Sequence, residues 1–326
     1  MTEIKKIGVL TSGGDAPGMN AAIRAVVRTA IYHGLEVVGI MEGYSGLINN
    51  DFIEMHSHSV SNIIQRGGTI LRTARCEEFK TKEGMKKAYQ NLINANINAL
   101  IVIGGDGTFR GAHTLYKRYN FPVIGLPGTI DNDLFGTDYT IGYDTALNTV
   151  IQAVDKIRDT ADSHNRLFFV EVMGRDAGFI ALNSGIACGA EAILIPETKT
   201  HVHDLINILD YEWRENKKSL IIIVAEGDDA GGAYSIAKKV KQEYSKYDTR
   251  VTVLGHIQRG GSPSCTDRVL ASTLGFEAVK AAISGKTDIM IGEINKKIVF
   301  TPFENASKYN LKINKNMLDM ARVLSL

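Results

Sequence analysis

The run Ala99-Leu100-Ile101-Val102-Ile103-Gly104-Gly105-Asp106-Gly107-Thr108 decides the fold. Its apolar part, Ala99 to Ile103, lacks polar alternation, the pattern of a strand buried on both faces in a parallel sheet. It breaks into glycines around Asp106, and Phe109 to Tyr116 is expected to follow as a helix. Such a turn lets backbone N–H groups approach a phosphate, and a helix start favours an anion. Asp106, at the strand's carboxyl end, is placed to hold a hard cation such as Mg²⁺.

A second loop follows: Gly125-Leu126-Pro127-Gly128-Thr129-Ile130-Asp131-Asn132-Asp133, after the short apolar strand Pro122-Val123-Ile124. Its glycines and proline exclude a regular helix, so an irregular, extended loop is expected. In an extended chain Asp131 and Asp133 point to one side, with the Thr129 hydroxyl beside them. That array suits proton or cation handling. The alternative is an ordinary turn, which Asn132-Asp133 also favours.

Working outward, Lys6 to Thr11 reads as a strand running into Ser12-Gly13-Gly14-Asp15-Ala16-Pro17-Gly18-Met19-Asn20. A helix follows with Ile23, Val26, Val27, Ala30 and Ile31 on one stripe, stopped near Gly34. Gly13 and Gly18 have the spacing of the common nucleotide loop, but Met19 and Asn20 replace its lysine and hydroxyl. No Gly-x-Gly-x-x-Gly fingerprint occurs, so phosphate must be held another way. Val37 to Ile40 is a strand, and Arg72 and Arg75 follow the glycine turn Gly67-Gly68. These arginines either cradle phosphate or are solvated loop charges.

Helices are expected at Glu83 to Asn94, Thr145 to Thr160 with Asp144 as N-cap, Leu205 to Glu215, Tyr234 to Tyr244 and Arg268 to Ile283. Strands are expected at Leu167 to Val172, Ala192 to Ile195, Ser219 to Ala225, Val251 to Leu254 and near Ile298. The alternation means parallel sheets covered on both faces, an α/β chain. Gly13, Asp106, Asp131, Arg175 and Glu226 all fall just after strand ends, where open parallel sheets bind ligands.

Composition excludes several classes. A formal charge of +1 gives no electrostatic case for nucleic acid or an anionic membrane. Cys76, Cys188 and Cys265 are unpatterned, which argues against a disulfide framework or zinc site and for a reducing compartment. No apolar run approaches the length of a membrane span, so a cytoplasmic protein is expected. At 326 residues the chain holds one large or two medium domains.

The segments Leu10 to Asn20, Ile103 to Thr108, Pro127 to Asp133, Met173-Gly174-Arg175 and Leu254-Gly255-His256-Ile257-Gln258-Arg259-Gly260-Gly261 resemble, in order, bacterial ATP-dependent 6-phosphofructokinases. The likeness spans about residues 5 to 285. It implies two three-layer αβα Rossmann-like lobes with mainly parallel sheets. Residues 1–141 with about 257–305 would bind nucleotide, and 142–256 with about 306–326 fructose 6-phosphate. It further implies transfer of the γ-phosphoryl of MgATP to the sugar's 1-hydroxyl.

By that resemblance Asp131 is the base, with Thr129, Arg175 and Arg75 as further catalytic groups. Gly14, Arg75, Cys76, Gly105, Asp106, Gly107 and Thr108 form the nucleotide site, with Asp106 serving Mg²⁺. The sugar phosphate is held by Thr129, Ile130, Asp131, Arg166, Met173, Gly174, Arg175, Glu226, Arg250, His256, Ile257, Gln258 and Arg259. Arg166 and Arg250 would reach in from a neighbouring subunit of a homotetramer. Without the resemblance, His256 reads as a satisfied buried histidine, Glu226 as a helix N-terminal acid and Arg259 as a surface charge.

Related enzymes that use pyrophosphate carry a carboxylate where Gly107 stands and a lysine where Gly128 stands, so ATP is the expected donor. An effector site for a nucleoside diphosphate or phosphoenolpyruvate is implied at Arg24, Arg28, Arg158, Gly189, Glu191 and Lys217. Ser57 and Glu215 depart from the arginine and lysine common there, which should weaken polyanion binding. Arg24 and Arg28 otherwise read as a solvated helix face. Two other readings are a NAD or lipid kinase, which shares Gly-Gly-Asp-Gly-Thr, and a non-catalytic sugar-phosphate sensor.

Overall fold

The computed structural model describes residues 4–163, 166–214, 217, 219–244, 246–306 and 313–324; Glu215 lies outside these residues. The chain forms two compact units, Met1–Thr145 with Arg259–Leu311, and Ala146–Gln258 with Lys312–Leu326.

The first unit holds β1 (Lys6–Thr11), β2 (Glu36–Ile40), β3 (Phe52–Glu54), β4 (Ala99–Gly104) and β5 (Val123–Pro127), joined by β10 (Ile289–Ile294) and β11 (Lys297–Pro302). The sheet order is β11-β10-β5-β4-β1-β2-β3. Pairing is parallel except at the edges, where β3 and β11 run antiparallel to their neighbours. Every residue of β4 is buried, as its unbroken apolar run requires. Helices α1 (Met19–Tyr32), α2 (Tyr44–Asn49), α3 (Lys82–Asn94), α4 (Asp106–Tyr119) and α9 (Cys265–Ile283) belong to this unit. A Cβ on Gly275 of α9 would stand 2.8 Å from Ala22 O, so that glycine sets how closely α1 and α9 approach.

The second unit carries a sheet of β6 (Arg166–Val172), β7 (Ala192–Leu194), β8 (Leu220–Ala225) and β9 (Asp248–Val253), in the order β7-β8-β6-β9 and wholly parallel. Its helices are α6 (Phe179–Ala187), α7 (Val202–Arg214), α8 (Ala233–Glu243) and α10 (Lys315–Leu324). Leu167, Phe169, Ile222, Val224, Ile236 and Val240 sit in its core. Helix α5 (Tyr143–Ala161) spans the boundary between the units.

Several boundaries differ from expectation. Helix α4 begins at Asp106, not Phe109, with Gly105 as N-cap, so the metal-ligand candidate is already helical. Gly125 to Pro127 continue strand β5 instead of opening the loop. Asp144 lies in the first turn of α5 and is not its N-cap. The Asp267 carboxylate caps α5 instead, accepting from Gly142 N at 2.7 Å and Thr145 N at 2.8 Å. Strand β3 and helix α2 are too short to show periodicity. Helix α6, FIALNSGIA, is apolar enough to show no stripe.

Candidate functional site

In the first sheet β1 and β4 are neighbours, while β2 and β5 lie on opposite sides of them. That is a topological switch point, where open α/β sheets form a crevice beyond the strand ends. The loops leaving β1 and β4 are tied together there. Ser12 N donates to Ile103 O at 3.0 Å, and the Thr108 hydroxyl donates to Ser12 O at 3.2 Å. The buried Tyr44 hydroxyl fixes the turn from below by donating to Thr108 O at 2.6 Å. Burial raises the Tyr44 phenol far above its ordinary pKa, so it stays a donor.

The glycines of this turn do different jobs. A Cβ on Gly104 would run into Ser12 O and the Thr108 side chain, so Gly104 is demanded by packing. A Cβ on Gly107 would meet nothing within 4 Å. Nothing in the protein asks for glycine at 107, and the open space over it, at the N-terminus of α4, is what a bound phosphate would fill. Asp106 stands beside that space, its side chain 14% exposed, and pairs with Arg110 Nη2 at 2.9 Å.

The loop after β5 joins the same place. Gly128 N donates to Gly104 O at 3.0 Å, and a Cβ on Gly105 would lie 3.7 Å from Thr129 Cβ. Thr129, Ile130 and Asp131 are all buried, and Asp131 N donates to Thr129 Oγ1 at 3.2 Å. Asn132 has φ 51°, so the chain is not extended between Asp131 and Asp133, and the period-two alignment of their carboxylates does not apply. Asn132 works as a brace: its Oδ1 accepts from Thr140 N at 2.8 Å, and Thr140 Oγ1 donates to Thr129 O at 2.6 Å. Turn chemistry at Asn132 and a buried acid at Asp131 are therefore both present, in adjacent residues.

Around this centre Arg72 has φ 57° and its carbonyl accepts from Thr11 Oγ1 at 2.8 Å, while Arg75 is exposed and Cys76 is half-buried. Arg259, a sugar-phosphate candidate, lies in the same unit. Its Nη1 donates to Asp15 O at 3.2 Å, and a Cβ on Gly14 would stand 2.5 Å from that nitrogen. The guanidinium therefore lies across Gly14, and a side chain there would have to displace it.

In the second unit, the loop leaving β6 is held by side chains. Met173 N donates to Gln258 Oε1 at 3.2 Å. Gly174 N and Arg175 N donate to Glu226 Oε1 at 3.2 and 2.8 Å. Gly174 has φ 143° and Arg175 φ 54°, and a Cβ on Gly227 would collide with Arg175 O. Gln258 is fully buried and also donates from Nε2 to Gly255 O at 3.0 Å, whereas His256, Ile257 and Arg175 are exposed. His256 is therefore not a satisfied buried histidine. Arg166 and Arg250 lie elsewhere, in the N-terminal halves of β6 and β9, and share Asp248 at 3.4 and 2.7 Å. From Arg166 to Met173 the chain advances about 23 Å at roughly 3.3 Å per residue. One chain does not bring these arginines to the Met173–Arg175 loop.

Of the effector candidates, Arg158, Gly189, Glu191 and Lys217 come together: Arg158 Nη2 donates to Gly189 O at 3.1 Å, and Lys217 Nζ stands 3.2 Å from the buried Glu191. Burial acts to lower the Lys217 pKa, but Glu191 and Glu212 outweigh it and raise it. Arg24 and Arg28 sit a turn apart on α1, and burial together with Arg28 lowers the Arg24 pKa. Ser57 is exposed.

Sequence reasoning missed the holding roles of Thr140, Asp267 and Arg110. Arg110 had a signal in its i, i+4 spacing from Asp106, whereas the pattern Ser264-Cys265-Thr266-Asp267 marks only the start of α9, where Asp267 N donates to Ser264 Oγ at 3.2 Å. In the glycine-rich, acidic stretch 228–232, Asp228 accepts from Thr200 Oγ1 at 2.8 Å and Ala230 N at 3.0 Å.

Two mainly parallel sheets covered by helices, one with a glycine-edged opening beside Asp106 and the buried Asp131, define an α/β protein of the kind that binds ligands beyond its strand ends. The phosphofructokinase family profile matches residues 6–282, and the chain belongs to that family. It is 56% identical to an ATP-dependent 6-phosphofructokinase of Bacteroides thetaiotaomicron, over 100% of both chains. It is 54% identical to one from Thermus thermophilus, over 99% of this chain and 100% of that one. The T-state phosphofructokinase structure of Pichia pastoris matches with TM-score 0.88 and 38% identity, covering 99% of this chain and 37% of that larger one. A pyrophosphate-dependent phosphofructokinase from Marinobacter aquaeolei matches with TM-score 0.83 at 22% identity, over 98% of this chain and 91% of that one, a likeness of fold alone. No helix among the described residues is long and apolar enough to cross a membrane.

Proposed function

We propose that the chain is an ATP-dependent 6-phosphofructokinase that makes fructose 1,6-bisphosphate and ADP. The observation that carries this reading is the open cradle over Gly107, with Asp106 at its edge and Thr129 3.7 Å from the Cβ position of Gly105. The residues fit a divalent cation such as Mg²⁺, which is bound through one or two carboxylates together with substrate phosphates. Asp106 would hold it, and when bound it would neutralise charge on the transferring group.

Asp131 takes the proton of the sugar's 1-hydroxyl as that oxygen bonds to the γ-phosphorus and the bond to the β–γ bridging oxygen breaks. Its buried position, braced through Thr129 and Thr140, keeps it in place for that transfer. Arg75 and Arg175 offset the charge spreading over the phosphoryl oxygens, and the amides of Gly105 to Thr108 add fixed dipoles. Met173 to Arg175, Glu226, His256, Ile257, Gln258, Arg259 and Ile130 orient fructose 6-phosphate. The residues 1–141 with about 257–305 then serve nucleotide, and 142–256 with about 306–326 the sugar phosphate.

The donor argument rests on Gly107. Gly128 has a packing reason of its own, since a Cβ there would stand 3.0 Å from Ile103 and Met19. Gly107 has none, which leaves room for a nucleotide's phosphates. Fructose 1,6-bisphosphate formation from fructose 6-phosphate, with ATP and pyrophosphate tested side by side, checks the reading. Product with ATP alone supports it, and product with pyrophosphate overturns the donor.

The strand geometry supports shared sites in a homotetramer, with Arg166 and Arg250 serving a neighbour's sugar phosphate. Hybrids of an Arg166→Ala chain with an Asp131→Asn chain should then regain activity that neither parent has. The effector cluster is expected to respond weakly, given Ser57; strong activation by millimolar ADP would count against that.

A further inference from the structure

We propose that Arg110 is a positioning residue that stands in for the metal, neutralising Asp106 so that the cradle accepts polyphosphate before a divalent cation is in place. This rests on the reading of Asp106 and Gly107 as the nucleotide site. Asp106 is the first residue of α4, and Arg110 lies one turn later, so its guanidinium reaches back to the carboxylate at 2.9 Å. The Arg110 side chain is 71% exposed, while that of Asp106 is 14% exposed. Such a pair adds little to stability, because an exposed arginine is well hydrated without it. What the pair changes is the charge at the cradle. Without Arg110, a half-buried carboxylate would face the incoming phosphates and repel them. With it, the first turn of α4 presents a neutral pair at the positive end of the helix, and Gly107 leaves the approach unobstructed. With a cation held at Asp106, the carboxylate would be neutralised without Arg110, and the exposed guanidinium would turn to solvent.

The consequence is specific. Arg110 should matter most for nucleotide binding without metal and least with it. Calorimetric titration of the whole enzyme with adenosine 5′-(β,γ-imido)triphosphate, in EDTA and in MgCl₂, reads this directly and involves no turnover. In Arg110→Met, binding in EDTA should weaken about fivefold or more, while binding in MgCl₂ changes by less than about twofold. Arg110→Lys, which keeps the charge but not the fork, should fall between. Equal loss in both media would overturn the proposal, because it would make Arg110 an ordinary phosphate contact. No loss in either, or no binding by the wild type in EDTA, would overturn it too. Asp106→Asn separates the two readings. It should abolish most of the gain that MgCl₂ gives. If the gain persists in Asp106→Asn, the assignment of Asp106 fails; if it vanishes while Arg110→Met binds like wild type, only the role of Arg110 fails.

Discussion

The loops beyond β4 and β6 occupy equivalent places, each at the carboxyl end of a central parallel strand, yet they are built in opposite ways. The loop beyond β4 is shaped by absent side chains: Gly107 faces open space, and the charges at its edge are the paired Asp106 and Arg110. The loop beyond β6 is shaped by present ones, with Gln258 and Glu226 accepting from the amides of Met173, Gly174 and Arg175. A cradle of amides needs room, since its ligand supplies the volume and the charge. A loop that presents backbone at φ 143° and 54° needs restraint, since such conformations are costly for Arg175 without external hydrogen bonds.

The comparison breaks most sharply at Asp131. Asp131→Asn keeps the side chain's size but removes the carboxylate proposed as the proton acceptor, and turnover should fall by about two to four orders of magnitude with nucleotide affinity nearly unchanged. Steady-state kinetics paired with calorimetry checks both halves.

Restraint of the β6 loop is tested at Gln258. Gln258→Leu leaves Met173 N–H and Gly255 C=O without their partner, costing about 1–3 kcal/mol in denaturant unfolding. The KM for fructose 6-phosphate should rise about tenfold while that for ATP moves little, because the nucleotide loops lie in the other unit.

A smaller effect is expected at Asp267, whose carboxylate caps α5 from α9. Burial, only partly offset by hydrogen bonds from Thr145 and Gly142, raises its pKa. A carboxyl raised in the folded state contributes stability below its unfolded value of about 3.9, and that contribution is lost as pH rises through the folded value. Asp267→Asn should flatten this part of the stability–pH profile and cost about 1 kcal/mol near neutrality, as the amide cannot accept from every donor that faces it.

Much of this was legible in sequence because strand ends, glycines and acids are local signals. The buried β4 run and the glycine-flanked acid that follows it mark the carboxyl end of a central strand. Arg166, Met173 and Glu226 were legible as residues but not as neighbours. That β6 separates Arg166 from Met173, and that Glu226 holds amides, depends on strand register and side-chain reach. Helix starts were misjudged for a related reason. Asp106 looked like loop because glycines flank it, and α5 is capped by Asp267, 122 residues from Thr145, which no local pattern near Asp144 reveals.

The measurement that tests the account most directly is nucleotide affinity in Gly107→Val, with the unfolding midpoint taken on the same preparation. Space over Gly107 is free in the protein, so folding should be nearly untouched, while the imido-triphosphate with MgCl₂ should bind about tenfold or more weakly. An affinity within twofold of wild type would contradict the account, because the phosphates would then lie somewhere other than the cradle at the start of α4.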